Sequence, residues 1–352
     1  MVGRSATLPF KGRTLSPEEI GRALGVRYLV EGSIRRAGER LRINAELTEA
    51  ATGRQRWSEI YDAEPGDPFA AQDDVTRQAV GAAAATLTRV EHDRVLRKPI
   101  ADLAPYEYVL RARADFMARA RDQNDEARSL VERAIELDPN DAEAYSALAW
   151  TYYFAVVSGR SDFLKDDIER AEALAQKAAG LDPTVTSAYN LLANLFVFKG
   201  EYDRALAQVD RALAINPNDT ANPAIRGIIL LYSGKPAEAV PWLETSLRLD
   251  PANSPSALHL GVAKFFLGQY DEAIAAFDRS LARDPGRANQ LTAHPVLAAC
   301  YARLGRAQEA GRERAIVARL APFFDAERFA AQFGSKEARD DMLAGLKTAG
   351  FR

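Results

Sequence analysis

From residue 108 onward the chain repeats itself, and no other feature limits its fold as strongly. Prolines closing a Leu/Ile-Asp/Asn-Pro step stand at Pro139, Pro183, Pro217 and Pro251, a diverged step ends at Pro285, and Leu320-Ala321-Pro322 makes a last one. The intervals are 44, 34, 34, 34 and 37 residues. Gly200, Gly234, Gly268 and Gly305 keep the same spacing, as do Ala127, Ala171, Ala205, Ala239, Ala273 and Ala310. A period of this length marks a small unit that must stack on copies of itself to bury its apolar face.

Each marker has a physical cause. Proline cannot continue a helix and restricts the residue before it, so Asp-Pro closes one helix and the next opens after caps such as Asn140-Asp141. Glycine at mid-unit permits the left-handed backbone that turns a first helix into an antiparallel second one. The alanine lies where the two helices approach closely, and a larger side chain there would force them apart.

Units of 34 residues with Gly, Ala and Pro at these positions resemble tetratricopeptide (TPR) repeats. The resemblance covers residues 108 to 322 as six units starting at Tyr108, Ala142, Thr186, Thr220, Ser254 and Leu291. The second unit carries ten extra residues, expected as a loop around Ser158 to Asp167, and the sixth follows a three-residue spacer. Pro223, Arg226 and Lys264 depart from the large apolar residues usual in the family, although long basic stems can lie over apolar surface while their charges reach water. Residues 323–352 carry a helical pattern through Met342, Leu343 and Leu346 and read as a cap over the last unit.

The first 98 residues follow other periods. Ser16-Pro17-Glu18-Glu19 opens a short helix ending near Gly25. Alternation of Tyr28, Val30 and Ile34 with Leu29, Glu31 and Arg35, a turn at Ala37-Gly38-Glu39, and alternation through Leu41, Ile43, Ala45 and Leu47 predict a β-hairpin. Arg54 to Tyr61 makes a third strand, and Phe69 to about Arg97 a long helix leading to the array. The words Ile20 to Arg36, Ala50-Ala51-Thr52-Gly53, Trp57 to Asp62 and Phe69 to Asp74 are similar to the TolB-like α/β domain that precedes TPR arrays in bacterial proteins. That resemblance implies a further strand and helix ahead of residue 1, so the unit over 1–98 is expected to be incomplete. The fold class expected is therefore mostly α: an α-solenoid of TPR helix-turn-helix repeats behind a small α/β domain.

Little in the sequence points to catalysis. Forty-six basic against forty-nine acidic residues leave a formal charge of −3, with no global field for nucleic acid or anionic membrane. The longest apolar run, Ala147 to Val157, falls well short of the roughly 18 to 20 residues a membrane helix needs. Phosphate-loop, HExxH, GxSxG and dinucleotide motifs are absent. Glu91-His92-Asp93 reads as a solvated helix face and Cys300 as a small buried hydrophobe; His92, His259 and His294 form no metal pattern. Arg35, Arg36, Arg40 and Arg42 read as a solvated hairpin tip. No enzyme, metal or cofactor is expected.

The TPR resemblance implies that the first helix of each unit lines a concave groove. Its residues here are Trp150, Tyr153 and Phe154; Asn190, Asn194 and Phe198; Leu231 and Tyr232; Leu258, Phe265 and Phe266. Asn190 and Asn194, four apart on one helical face, are expected to bond the backbone of an extended peptide while the aromatics hold its side chains. Packing between repeats or under the cap is the competing reading for each aromatic. The lysine clamp with which some TPR proteins grip a C-terminal carboxylate is missing. The functional expectation is a non-enzymatic scaffold for a protein or peptide partner in bacterial signalling, with no nucleic acid and no membrane insertion, and with self-association left open. The combined resemblance also implies an alternative, the regulatory C-terminal segment of a class III adenylate/guanylate cyclase whose catalytic domain lies elsewhere. The compartment expected is cytoplasmic, or periplasmic were a membrane segment to precede the chain.

Overall fold

The computed structural model describes the chain apart from residues 1–6, 8–9, 11–14, 38–39, 64–67, 118–120, 158–160, 162, 218, 220, 252 and 352. It divides into two compact units, residues 1–91 and 92–352.

In the first unit, α1 (Pro17–Leu24) opens on a reciprocal cap: the Ser16 hydroxyl accepts the Glu19 N–H at 3.2 Å, and the Glu19 carboxylate accepts the Ser16 N–H at 2.7 Å. Strands β1 (Tyr28–Ala37), β2 (Arg40–Glu49) and β3 (Arg54–Ala63) follow as an antiparallel sheet in the order β1-β2-β3. On β2 the expected alternation puts Ala45 and Leu47 inside, whereas on β1 Leu29 is buried and Val30, paired with Leu47, is exposed. Of the expected hairpin turn, Gly38 and Glu39 lie outside the described residues. The long helix α2 (Pro68–Leu96) supplies Glu91, which accepts from Arg27 at 2.7 Å and from the Tyr28 hydroxyl at 2.8 Å. Glu91 is thus an anchor for β1, not part of a solvated charged face.

The second unit is helical. Among the described residues six helix pairs follow one another: α3 (Pro105–Met117) with α4 (Arg121–Leu137), α5 (Ala142–Val157) with α6 (Leu164–Leu181), α7 (Thr186–Phe198) with α8 (Tyr202–Ile215), α9 (Ala221–Tyr232) with α10 (Pro236–Leu249), α11 (Ser254–Phe266) with α12 (Tyr270–Arg283), and α13 (Arg287–Arg303) with α14 (Ala307–Leu320). Helices α15 (Ala326–Ala330) and α16 (Lys336–Thr348) follow the pairs.

The periodic residues sit where their chemistry requires. Gly200, Gly234, Gly268 and Gly305 have φ between 72 and 85°, and the residue after each bonds back across the turn, as Glu201 N–H does to the Phe196 carbonyl at 2.8 Å. Ala127, Ala171, Ala205, Ala239 and Ala273 are fully buried between the helices of their pairs, and Ala310 nearly so. The aspartates before Pro139, Pro183 and Pro285 accept a backbone N–H two residues on, at 2.8 to 3.0 Å, and so shape the turn between units.

The irregular places resolve locally. Helix α6 opens at Leu164, inside the expected loop: α5 and α6 run 16 and 18 residues against 13 and 14 in the next pair, so much of the insertion lengthens helices. Helix α13 opens at Arg287, ahead of Leu291, so the residues expected as a spacer continue the helix. Pro223 falls in the first turn of α9, where a missing N–H has no helical partner to lose. Arg226 lies over the Trp242 ring at 4.7 Å and pairs with Asp210, and Lys264, 12% exposed, reaches Glu272 at 2.8 Å.

At the start of this unit Glu107, 2% exposed, receives Lys98 at 2.7 Å, Arg94 at 2.8 Å and the Ala104 N–H at 2.9 Å. Burial by itself would raise its carboxyl, but the bonds from Lys98, Ala104 and Arg94 outweigh it and hold the pKa at about 2. The folded value lies below the ordinary one, so the stabilisation is complete above about pH 4.5 and is lost as pH falls toward 2. It amounts to on the order of 3 kcal/mol. Urea midpoints between pH 7 and pH 2 should drop more steeply for the natural chain than for Glu107→Gln; parallel profiles would refute this role.

Candidate inner-face binding site

Each first helix packs not only on its own partner but also on the first helix of the next unit, whereas successive second helices do not pack to a comparable extent. The first helices therefore line the inner face, and the residues expected to form the groove divide there into two halves.

In one half the side chains reach the surface. Trp150, Tyr153 and Phe154 on α5 form a ring cluster: Trp150 stacks on Phe154 with centroids 5.4 Å apart, and Tyr153 meets both edge-on at 5.5 and 5.8 Å. The Trp150 indole N–H donates to the Ser187 carbonyl at 3.2 Å, which fixes the ring against α7. Asn194, partly exposed, donates to the Asn190 carbonyl at 2.8 Å, and the Tyr153 hydroxyl donates to its side-chain oxygen at 3.5 Å. Phe198 is 48% exposed at the end of the same helix. Beside them lies a polar group that the sequence reading missed: Arg113 on α3 pairs with Glu143, and the Ser187 hydroxyl donates to Glu143 at 3.3 Å. No motif flags it, because its members come from three successive units.

Asn190 does not belong to this surface. It is buried, and its amide donates to the Asn222 side-chain oxygen at 2.8 Å, while the Asn222 amide donates to the Asn216 carbonyl at 2.9 Å. This ladder ties α7 to α9. The i,i+4 spacing correctly puts Asn190 and Asn194 on one face, but that face rotates into the neighbouring unit at Asn190.

In the other half the residues are covered. Leu231, Leu258 and Phe265 are buried, and Tyr232 and Phe266 are partly so. The cover is the chain's own C-terminal segment: Met342 and Leu346 of α16 join the core with Leu258, Val262 and Phe265, and Gly345 lies against Phe265 and Ala299. Phe333, between α15 and α16, stacks on Tyr232. Residues 323–352 thus do more than cap the last unit; they lie along the inner face of the last three first helices.

Groups with possible reactivity are engaged elsewhere. Cys300 is fully buried, and burial pushes its thiol up to about 12. His294 faces Glu313 at 2.6 Å, and His259 lies 2.7 Å from the Pro255 carbonyl. Burial, with Tyr202 nearby, pushes the Tyr232 hydroxyl up to about 12, so it stays neutral at physiological pH. Among the described residues no three His, Cys, Asp or Glu side chains converge as metal ligands, and no helix is long and apolar enough to cross a membrane.

Tetratricopeptide-repeat sequence profiles match residues 130–173, 163–224 and 230–294, and the helix pairs within those spans are such repeats. Over 149 residues, 42% of this chain and 25% of the other, the sequence is 37% identical to putative adenylate cyclase 3 of Rhizobium meliloti strain 1021; the chain therefore spans about a quarter of that relative's length. Among solved structures it is similar to the human IFIT1 dimer with m7Gppp-AAAA, with TM-score 0.51 and 18% identity over 67% of this chain and 55% of that one. It also matches YrrB, described as a TPR protein with an unusual peptide-binding site, with TM-score 0.37 and 24% identity over 55% of this chain and 93% of that one. At these identities the structural likenesses show the fold alone.

The asparagine ladder makes a direct prediction. Asn222→Ala strands the buried Asn190 amide and should lower stability by about 1 to 3 kcal/mol, whereas Asn194→Ala, at a partly exposed position, should stay within about 1 kcal/mol. Equal midpoints for the two variants in urea titration would remove the ladder from the account.

Proposed function

We propose that the chain is a non-enzymatic scaffold that binds a protein or peptide segment on the open half of its inner face, between Trp150 and Phe198. The observation that carries this reading is the exposure of Phe198 beside the partly buried Trp150–Tyr153–Phe154 cluster and Asn194, an amide held in place by its own helix and by Tyr153. Aromatic anchors around a fixed polar group suit an extended segment, whose side chains meet the rings while its backbone meets the amide. The reading extends the expected organisation: six repeats starting at Tyr108, Ala142, Thr186, Thr220, Ser254 and Leu291, an N-terminal unit of the TolB-like kind, and a role in bacterial signalling. Peptides selected from a random library on the natural chain should bind with micromolar affinity, about −8 kcal/mol. Asn194→Ala with Phe198→Ala should weaken them at least tenfold at unchanged helicity; undiminished binding would exclude this surface.

The likeness to putative adenylate cyclase 3 favours a second reading, in which the same array regulates a nucleotide cyclase domain encoded upstream or on a separate chain. Genomic DNA ahead of the first codon should then contain a cyclase domain in frame or in the adjacent gene, and cyclic-nucleotide output should change when this chain is deleted. Unchanged output would count against it.

A further inference from the structure

The C-terminal segment is held in two separable ways. Helix α16 seals the array through the fully buried Met342 and Leu346, an apolar contact of the kind any terminal repeat needs. The turn just before it does something else. Phe333, 1% exposed, stacks on Tyr232 with centroids 5.5 Å apart and planes at 13°, and meets Phe266 edge-on at 4.9 Å. The Gly334 N–H donates to the Tyr232 carbonyl at 2.8 Å, and that carbonyl lies in the last turn of α9, where helix acceptors run out of intrahelical partners. A side chain at 334 is excluded, because a Cβ there would stand 2.5 Å from the Tyr232 carbonyl oxygen and 2.6 Å from the Tyr202 hydroxyl. Arg339 holds the turn's shape by donating to the carbonyls of Phe333 at 3.0 Å and Gly334 at 2.9 Å.

An aromatic anchor in a ring-lined seat, one backbone hydrogen bond and a glycine required by close approach are the elements by which a groove recognises a peptide segment. Here they operate within one chain. Helix α15 has five residues and packs mainly on α16, with Ala326 and Ala330 entering the core and Ser335 lying against Gly234, while the ring contact and the backbone bond to the repeats come from Phe333 and Gly334.

We infer that Tyr202, Tyr232 and Phe266 form a second binding site, specific for an aromatic-glycine turn of a partner protein, and that Phe333-Gly334 is the built-in competitor that such a partner displaces. The site is separate from the open half around Trp150 and Phe198, and its test leaves that surface untouched.

The probe is a labelled synthetic peptide of this chain's residues 327–340, followed by fluorescence anisotropy on full-length protein. A tethered turn competes at an effective concentration on the order of millimolar. Phe333→Ala and Gly334→Val chains should therefore bind the peptide with a dissociation constant of roughly tens of micromolar, and the natural chain at least tenfold more weakly. A peptide with alanine in place of Phe333 and valine in place of Gly334 should not bind. Equal binding to natural and variant chains, or no binding to variants of native helicity, overturns the inference. Phe333 is a core residue, so Gly334→Val, which alters only the close approach, decides the matter should Phe333→Ala fail to fold. Asn194→Ala with Phe198→Ala should leave binding of this probe unchanged, so failure here and failure of the open-half reading are distinguishable.

Discussion

Two helices of a repeat lie together only as closely as the residues between them permit, and everything else in the helical unit rests on that distance. The alanines from Ala127 to Ala273 have no exposed surface, and Gly227 and Gly261 leave no room for a Cβ against Leu243 and Phe277. Because the pair is tight, its two helices present a nearly constant shape to the next pair, and stacking continues without strain. The first helices then meet one another along one side, and it is this contact that brings Trp150, Asn194 and Tyr232, far apart in sequence, onto a single inner surface.

That surface is not uniform, because the chain returns to it. The apolar positions of the last first helices would stand open to water in a bare array. They are covered by Met342, Leu346 and Phe333, so the distal part of the face behaves as core and the proximal part as surface. The same position within a repeat is consequently exposed at Phe198 and shielded at Phe266. A single repeat unit cannot reveal this difference, since it arises from a segment outside the repeats.

Polar groups in the array mostly hold units together. Asn190 with Asn222, Ser254 with Ser280 and Asn289, and Ser146 with Ser187 each bridge neighbouring elements and satisfy groups that burial would otherwise penalise. Asn194 is of another kind: it is oriented by its neighbours and still faces solvent. Glu107 fixes the beginning of the helical unit, and Glu91 holds Arg27 and Tyr28 at the start of β1, through partners that no local motif announces.

Much of the architecture could be read from residue spacing, because proline, glycine and alanine act through local backbone limits that hold wherever the residue stands. The hairpin and third strand, the turns at Gly200, Gly234, Gly268 and Gly305, and the buried alanines are of this sort. Spacing likewise placed the aromatic and amide residues on one side of the first helices. What it could not show was which of them meet water. Asn190 was lost to a neighbouring asparagine, and Tyr232 and Phe265 to the returning C-terminal segment, through contacts between residues 32 to 102 positions apart. Periodicity fixes the direction of a side chain relative to its own helix; exposure depends on what packs there afterward, and only the tertiary structure decides that.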